Sequence, residues 1–223
     1  MKSYTKLAVL ALFSMSAFTS PAMADNSSND TGYYKITITN LTRNSLFTPA
    51  LAVSHKKGVS VFTEGAPASE ALAQLAEGGA TQPLENALIA TGKVHATATL
   101  SVPVLSGQSV SLNVATKKRA NYISMASMIL PTNDGFIALN GVKGPGKGKT
   151  KVVYIPAYDA GSELNDEFCV NIPGPHCGGD GYSVNDGEGY VHIHAGIHGG
   201  ADLNAADYDW RNPVAKVTIE HVK

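Results

Sequence analysis

The chain has 223 residues, 17 Lys and Arg against 18 Asp and Glu, and two cysteines. That length suits one domain, on a prior of about 100–200 residues each, and the near balance of charge leaves no general footprint for nucleic acid. Beyond the first residues no segment reaches the roughly 18 uninterrupted apolar residues of a membrane helix.

Lys2 and Lys6 precede an apolar run from Leu7 to Phe13, and "SPAMA" ends at Ala24. A charged start, a short apolar stretch and an Ala-x-Ala site predict a signal peptide over 1–24, cut before Asp25, and hence a periplasmic or secreted protein. No Cys follows the cut to take a lipid. Losing Lys2 and Lys6 leaves 15 basic residues against 18 acidic ones. Residues 25–32, "DNSSNDTG", read as a disordered polar leader, and 33–223 as the folded domain.

In "YYKITITN", Ile36 and Ile38 alternate with Lys35, Thr37 and Thr39, the period of a half-buried strand. "ALAVSHKK" reads as a second strand. The period then changes: in "APASEALAQLAEGG", Ser69 and Glu70 suit a helix start, Leu72, Leu75 and Ala76 share a face, and Gly78-Gly79 ends it. "PLENALIATG" is predicted as a second short helix ending at Gly92. Strand signals follow in "HATATLSVPVL", "QSVSLNVAT", "NYISMASMIL", "GFIALNGV", "TKVVYIPAY", "YVHIHA" and "VAKVTIEHV". They are separated by turns such as "PTNDG" and "KGPGKG", with no helical crossovers. The pattern predicts a mainly β chain of about eight strands, an antiparallel sandwich with one or two inserted helices.

The long stretch from Asp159 to Gly189 is where a functional site is expected, at one end of the sandwich. It holds Cys169 and Cys177 in "CVNIPGPHC". In an oxidising compartment a disulfide pinning this loop is expected, the competing reading being a Cys/His metal site with His176. "KGPGKGKT" is one residue short of a phosphate-binding loop and reads as a lysine-rich hairpin turn. No Gly-x-Ser-x-Gly, His-Glu-x-x-His or Walker motif is present.

Acidic oxygen donors recur at Asn133 and Asp134, Asp159 and Glu163, Asp166 and Glu167, and Asp180, Asp186 and Glu188. Ca²⁺ takes six to eight oxygens from separate loops, although Asp and Asn before Gly are also ordinary turn formers. "YDAGSE" places two carboxylates four residues apart after an apolar strand, so both can converge on one cation.

Together "LTRNSLFTPALAVSHKKGVSVFTEGAPASEALAQLAEGG", "SMASMILPTNDGFIALNG", "IPAYDAGSELNDE", "IPGPHCGG", "HIHAGIHG" and "YDWRNPVAKVTI" resemble the spondin domain in its bacterial stand-alone form, from Tyr33 to Val222. The resemblance implies a β-sandwich related to C2 domains, found in animal extracellular-matrix and adhesion proteins, without catalysis. It also implies a Ca²⁺ site at Asp134, Asp159 and Glu163, where Glu163 stands in place of the family's Asp and reaches about one methylene further.

"HIHAGIH" carries His192, His194 and His198. His-x-His on a strand can place two imidazoles on one Zn²⁺ or Cu²⁺. Alternatively these rings lock the turn through backbone carbonyls, or border the calcium loops and hydrogen-bond their acids. Trp210 reads as core or as a partner anchor, and Arg211 as a partner of Asp209 or Asp207. The leading expectation is an exported, non-enzymatic Ca²⁺-binding or adhesion module whose partner is a glycan, a lipid headgroup or a protein. The rival is a Zn²⁺ or Cu²⁺ protein, or a metalloenzyme, built on the three histidines.

Overall fold

The computed structural model describes residues 31–183 and 186–222. The expected signal segment, and all of the leader except Thr31 and Gly32, lie outside the described residues. Thr31 and Gly32 already belong to the first strand, β1 (Thr31–Asn40).

After β1 come β2 (Leu46–Phe47), β3 (Leu51–His55), helices α1 (Glu70–Gly78) and α2 (Thr81–Ala90), and β4 (Val94–Thr99). Then follow β5 (Ser109–Lys117), β6 (Tyr122–Leu130), β7 (Gly135–Lys143), β8 (Thr150–Ile155) and β9 (Tyr158–Asp159). The loop region adds a 3-10 turn at Cys169–Asn171, α3 (Gly174–Cys177), β10 (His192–Ile193) and α4 (Ala205–Tyr208), and β11 (Ala215–Val222) closes the chain.

One sheet has the order β5-β1-β11-β8, and the other β10-β9-β7-β6-β3-β4 with β2 beside β6. Every pairing is antiparallel. The expected sandwich is therefore present. Three strands are only two residues long: β2, which the sequence pattern did not show, β9, which divides from the expected "TKVVYIPAY", and β10, which is what forms of the expected "YVHIHA".

Alternation on β1 sets the first sheet. Tyr34, Ile36 and Ile38 are fully buried, each worth about 1.5–3 kcal/mol of apolar burial. They meet Leu112, Val114, Val217 and Ile219 of their neighbours and Ile123 and Met125 of β6. The alternate positions face water and pair across strands, as in Thr37 with Ser111 and Thr39 with Ser109, both at 2.8 Å.

The second sheet is covered on both faces, because α1 and α2 pack Leu72, Leu75, Leu84 and Leu88 onto Leu51, Val53, Ala126 and Phe136. That explains why β6 is buried from Ile123 to Leu130 and reads as a nearly unbroken apolar run. α1 begins at the expected cap, where the Ser69 side chain accepts from the Leu72 N–H, and ends on left-handed Gly79.

"TKVVYIPAY", expected as one strand, is split between sheets. β8 pairs with β11, whereas β9 pairs with β7 and β10. Pro156 sits at the switch and has no N–H to continue a ladder. The Ala157 N–H leaves the first sheet by donating to Asn212 Oδ1 at 2.8 Å. This crossing delivers Asp159 to the second sheet.

Candidate metal centre at the loop end

The register of three short pairings assembles the site. Gly135 of β7 lies opposite Asp159 of β9, and Asp159 lies opposite His192 of β10. Asp134, one residue before Gly135, is thereby brought beside Asp159, and both are fully buried. Two glycines permit the approach. A Cβ on Gly161, which has φ of +63°, would overlap the Tyr190 backbone, and one on Gly135 would stand 2.7 Å from Thr132 Oγ1.

Asp134 Oδ2 accepts from the N–H groups of Ser162 at 2.8 Å and Glu163 at 3.1 Å. Its other oxygen, Oδ1, is buried and has no hydrogen-bond partner among the described residues. Asp159 Oδ1 accepts from the Gly161 N–H at 2.8 Å, and Oδ2 from the Asn165 amide at 2.7 Å. The same amide donates to Glu188 Oε1 at 3.1 Å. Burial, then the charge of Asp159, pushes the Asp134 carboxyl up to about 8, partly offset by the Glu163 and Ser162 N–H groups. Two buried carboxylates of like charge are costly unless a cation or a proton sits with them.

The two nearest histidines differ in which nitrogen is open. His192 Nδ1 lies 3.0 Å from the Ile193 carbonyl, which can only accept, so in the neutral ring the proton sits on Nδ1. The lone pair of Nε2 is then free, 3.5 Å from Asp159 Oδ1. Two facing acceptors call for a cation or proton between them. At His194 the case is reversed: Nδ1 accepts from the Gly196 N–H at 2.9 Å, so Nε2 carries the hydrogen. Burial drives the His194 pKa down and keeps that ring neutral. His194 is packed 5.2 Å from the Trp210 ring, which is itself largely buried. His198 is exposed.

Among the described residues, the mutually close ligand atoms around Asp159 are those of Asp159, Glu188 and His192, all within 4.8 Å of one another. Asp134 and Glu163 do not complete such a group with Asp159, and neither do His194 and His198 with His192. Glu163 is buried against Asp134 through its own N–H.

The Cys169–Cys177 disulfide is formed, so the two cysteines do not act as thiolate ligands with His176. His176 Nδ1 instead lies 2.9 Å from the Tyr208 hydroxyl. The pinned loop is tied to the site through Glu167, whose carboxylate accepts from the N–H groups of His198, Gly199 and Gly200. The Glu167 N–H donates to Asn133 Oδ1 at 3.2 Å, next to Asp134. Glu167 adopts φ of +59° to do this. Arg211 pairs with Asp209. Sequence reading put Glu188 among the oxygen donors without placing it beside Asp159, and it missed Asn165 altogether. An Asn six residues after Asp159 carries no signal until the loop is folded.

The fold and this end of it define an antiparallel β-sandwich domain whose loops gather carboxylates and are held by a disulfide. The family model described as Spondin_N matches residues 32–164, a span that includes Asp134, Asp159 and Glu163. The chain therefore belongs to the spondin N-terminal domain family, a family of extracellular-type domains, and its disulfide accords with an oxidising compartment. No curated protein matches the chain. Among the described residues no helix is long and apolar enough to cross a membrane.

Proposed function

We propose that the protein is an exported, non-enzymatic Ca²⁺-binding domain of the adhesion or ligand-binding type, with its ion at Asp134 and Asp159. The observation that carries this reading is the buried Asp134 Oδ1, which has no donor among the described residues and lies beside a second buried carboxylate. Glu163 and Glu188 supply further carboxylates from the adjoining loop, and an oxygen-rich donor set favours a hard cation. Bound Ca²⁺ would supply the charge that offsets the two buried acids. The chain's own part is to hold Asp134 through Ser162 and Glu163, to orient Asp159 through Gly161 and Asn165, and to join the disulfide-pinned loop to them.

A second reading is a Zn²⁺ or Cu²⁺ site at Asp159, Glu188 and His192, favoured by the open Nε2 of His192 and the close approach of the three ligand atoms.

Thermal unfolding of chelator-stripped protein, followed as each ion is titrated, separates the two. At 100 times its dissociation constant an ion adds about 2.7 kcal/mol, raising Tm by roughly 5–10 °C for a domain of this size. Stabilisation by Ca²⁺ alone, abolished by Asp159→Asn and kept in His192→Ala, is the expected result. Stabilisation by Zn²⁺ or Cu²⁺ alone, lost in His192→Ala, establishes the second reading instead. No shift with any of these ions sinks both.

A further inference from the structure

The opposite end of the sandwich, the crossover end, is built from two turns that pass between the sheets, one from β5 to β6 and one from β7 to β8, so "KGPGKG" is a crossing and not the expected hairpin. They lie side by side, since the Gly144 N–H donates to the Asn121 carbonyl at 2.8 Å. β7 runs nine residues from Gly135 to Lys143, which sets this end roughly 27 Å from the carboxylates at about 3.3 Å per residue.

Lys117, Lys118 and Arg119 stand on the first turn, Lys143 at its neighbour's base, and Lys147 and Lys149 on the second. All six are exposed, and among the described residues none has an acid within ion-pair distance. Between Glu85 and Asp159 the only acidic residue is Asp134, at the far end. Lys56 and Lys57, after β3, extend the basic surface, because His55 is in register with Tyr122 at the start of β6.

The second turn is fixed rather than loose. The Tyr34 ring fills the space where a Gly144 Cβ would be, and the Tyr34 hydroxyl donates to the Pro145 carbonyl at 3.5 Å. His221 Nδ1 donates to the same carbonyl at 3.2 Å, and the Gly148 N–H donates to the His221 carbonyl at 3.1 Å. Between the turns lies a pocket of about 390 Å³ lined by Lys117, Lys118, Asn121, Lys143 and Lys147. That volume falls within the roughly 300–1,000 Å³ of ligand sites.

Cations gathered around one pocket repel one another until an anion joins them. They are spread over two turns around one pocket, which fits a chain of spaced anionic groups better than a single ion. Among the described residues neither turn carries an exposed large apolar or aromatic side chain. The turns therefore offer neither a wedge for a bilayer nor a platform for stacking bases.

We propose that this end binds an acidic polysaccharide through its sulfate or phosphate groups, with one sugar unit in the pocket and its neighbours across Lys118 and Lys147. The site does not depend on the calcium reading, since it shares no residue with that centre.

The test is fluorescence anisotropy of the full chain with a labelled heparin dodecasaccharide at 0.15 M salt, alongside a duplex DNA of matched charge and vesicles of anionic phospholipid. Expected are saturable binding to the oligosaccharide and a loss of about tenfold or more in Lys118→Glu/Lys147→Glu, from two reversed surface charges. Lys216→Glu, near the other end of β11, should bind within about twofold of wild type, and each variant should keep the wild-type Tm. Absence of saturable binding overturns the proposal. Equal loss in Lys216→Glu, or DNA binding as tight as the sugar, reduces it to diffuse electrostatics and also overturns it. Vesicle binding through the same lysines without sugar binding assigns the surface to lipid instead.

Discussion

At the loop end, Asp134, Asp159 and Glu167 are buried and each is held by backbone N–H groups. At the crossover end, Lys118, Arg119 and Lys147 are exposed, and among the described residues none has an acid within ion-pair distance. Charges at the loop end are part of the fold, because each carboxylate accepts the backbone N–H groups of a turn. The crossover end is held by Tyr34, His221 and backbone hydrogen bonds, so its charges can change without disturbing the turns they sit on. The same side-chain chemistry is costly and structural where it is desolvated, and inexpensive where water screens it.

Removing Glu167 should sharpen this contrast most. Glu167→Ala leaves three N–H groups of the His198–Gly200 turn without their acceptor, and breaking such a buried charged network costs about 3–5 kcal/mol. Urea unfolding should show that loss, and a change below about 1 kcal/mol would mean that the turn repairs itself with water. Next comes the Cys169–Cys177 bond, with a sequence separation of 8. Replacing both cysteines by Ser should cost about 2–3 kcal/mol through the freed loop. If Ca²⁺ orders the same loop, that cost should shrink in saturating Ca²⁺, and an unchanged cost would uncouple the two.

The two ends should also respond to acid with opposite sign. The Asp134 carboxyl is raised from 3.8 to about 8 in the folded protein. Its contribution is therefore fully present below about pH 4 and lost as pH rises through 8. Without metal, Tm should fall between pH 5 and 9 more steeply in wild type than in Asp134→Asn. Ca²⁺ must displace the proton, so its affinity should weaken on acidification below pH 8, approaching tenfold per unit. His55, at the crossover end of β3, is buried between the Lys56 carbonyl and the Ser124 hydroxyl, and burial lowers its pKa below 6.5. Its contribution is present above about pH 6.5 and lost as pH falls below that. Calorimetry across pH on Asp134→Asn and His55→Gln resolves the two trends, and slopes of the same sign would contradict this account. The smallest effect is expected from Lys118→Glu, which should change stability by less than about 0.5 kcal/mol. A larger loss would show that the crossover end is not independent of its charges.

Much of the frame was legible because period-2 alternation and turn residues are local. Ile36 and Ile38 against Lys35, Thr37 and Thr39, and the Ser69 to Gly79 helix, follow directly from pattern. The split of "TKVVYIPAY" was not legible, although Pro156 marks where it falls, because a proline reveals a break but not which sheet receives the next residue. The expected six-residue strand "YVHIHA" shrinks to His192–Ile193, since only two residues find a partner on β9. The histidines read as one cluster because they are close in sequence. They separate in space because His194 turns onto Trp210, His192 onto Asp159, and His198 into solvent.

Sequence alone determined the sandwich class and the α1 and α2 insertion, and it singled out the long loop region and the carboxylates Asp134, Asp159 and Glu163 as candidates, because hydrophobic period and motif are written residue by residue. Tertiary structure alone decided that Glu188, Asn165 and His192 gather on Asp159, that Asp134 is left with an unpartnered buried oxygen, and that the lysines collect at the other end. Those outcomes depend on strand register and on which ends of antiparallel strands coincide, and both are set by pairing between segments far apart in the chain.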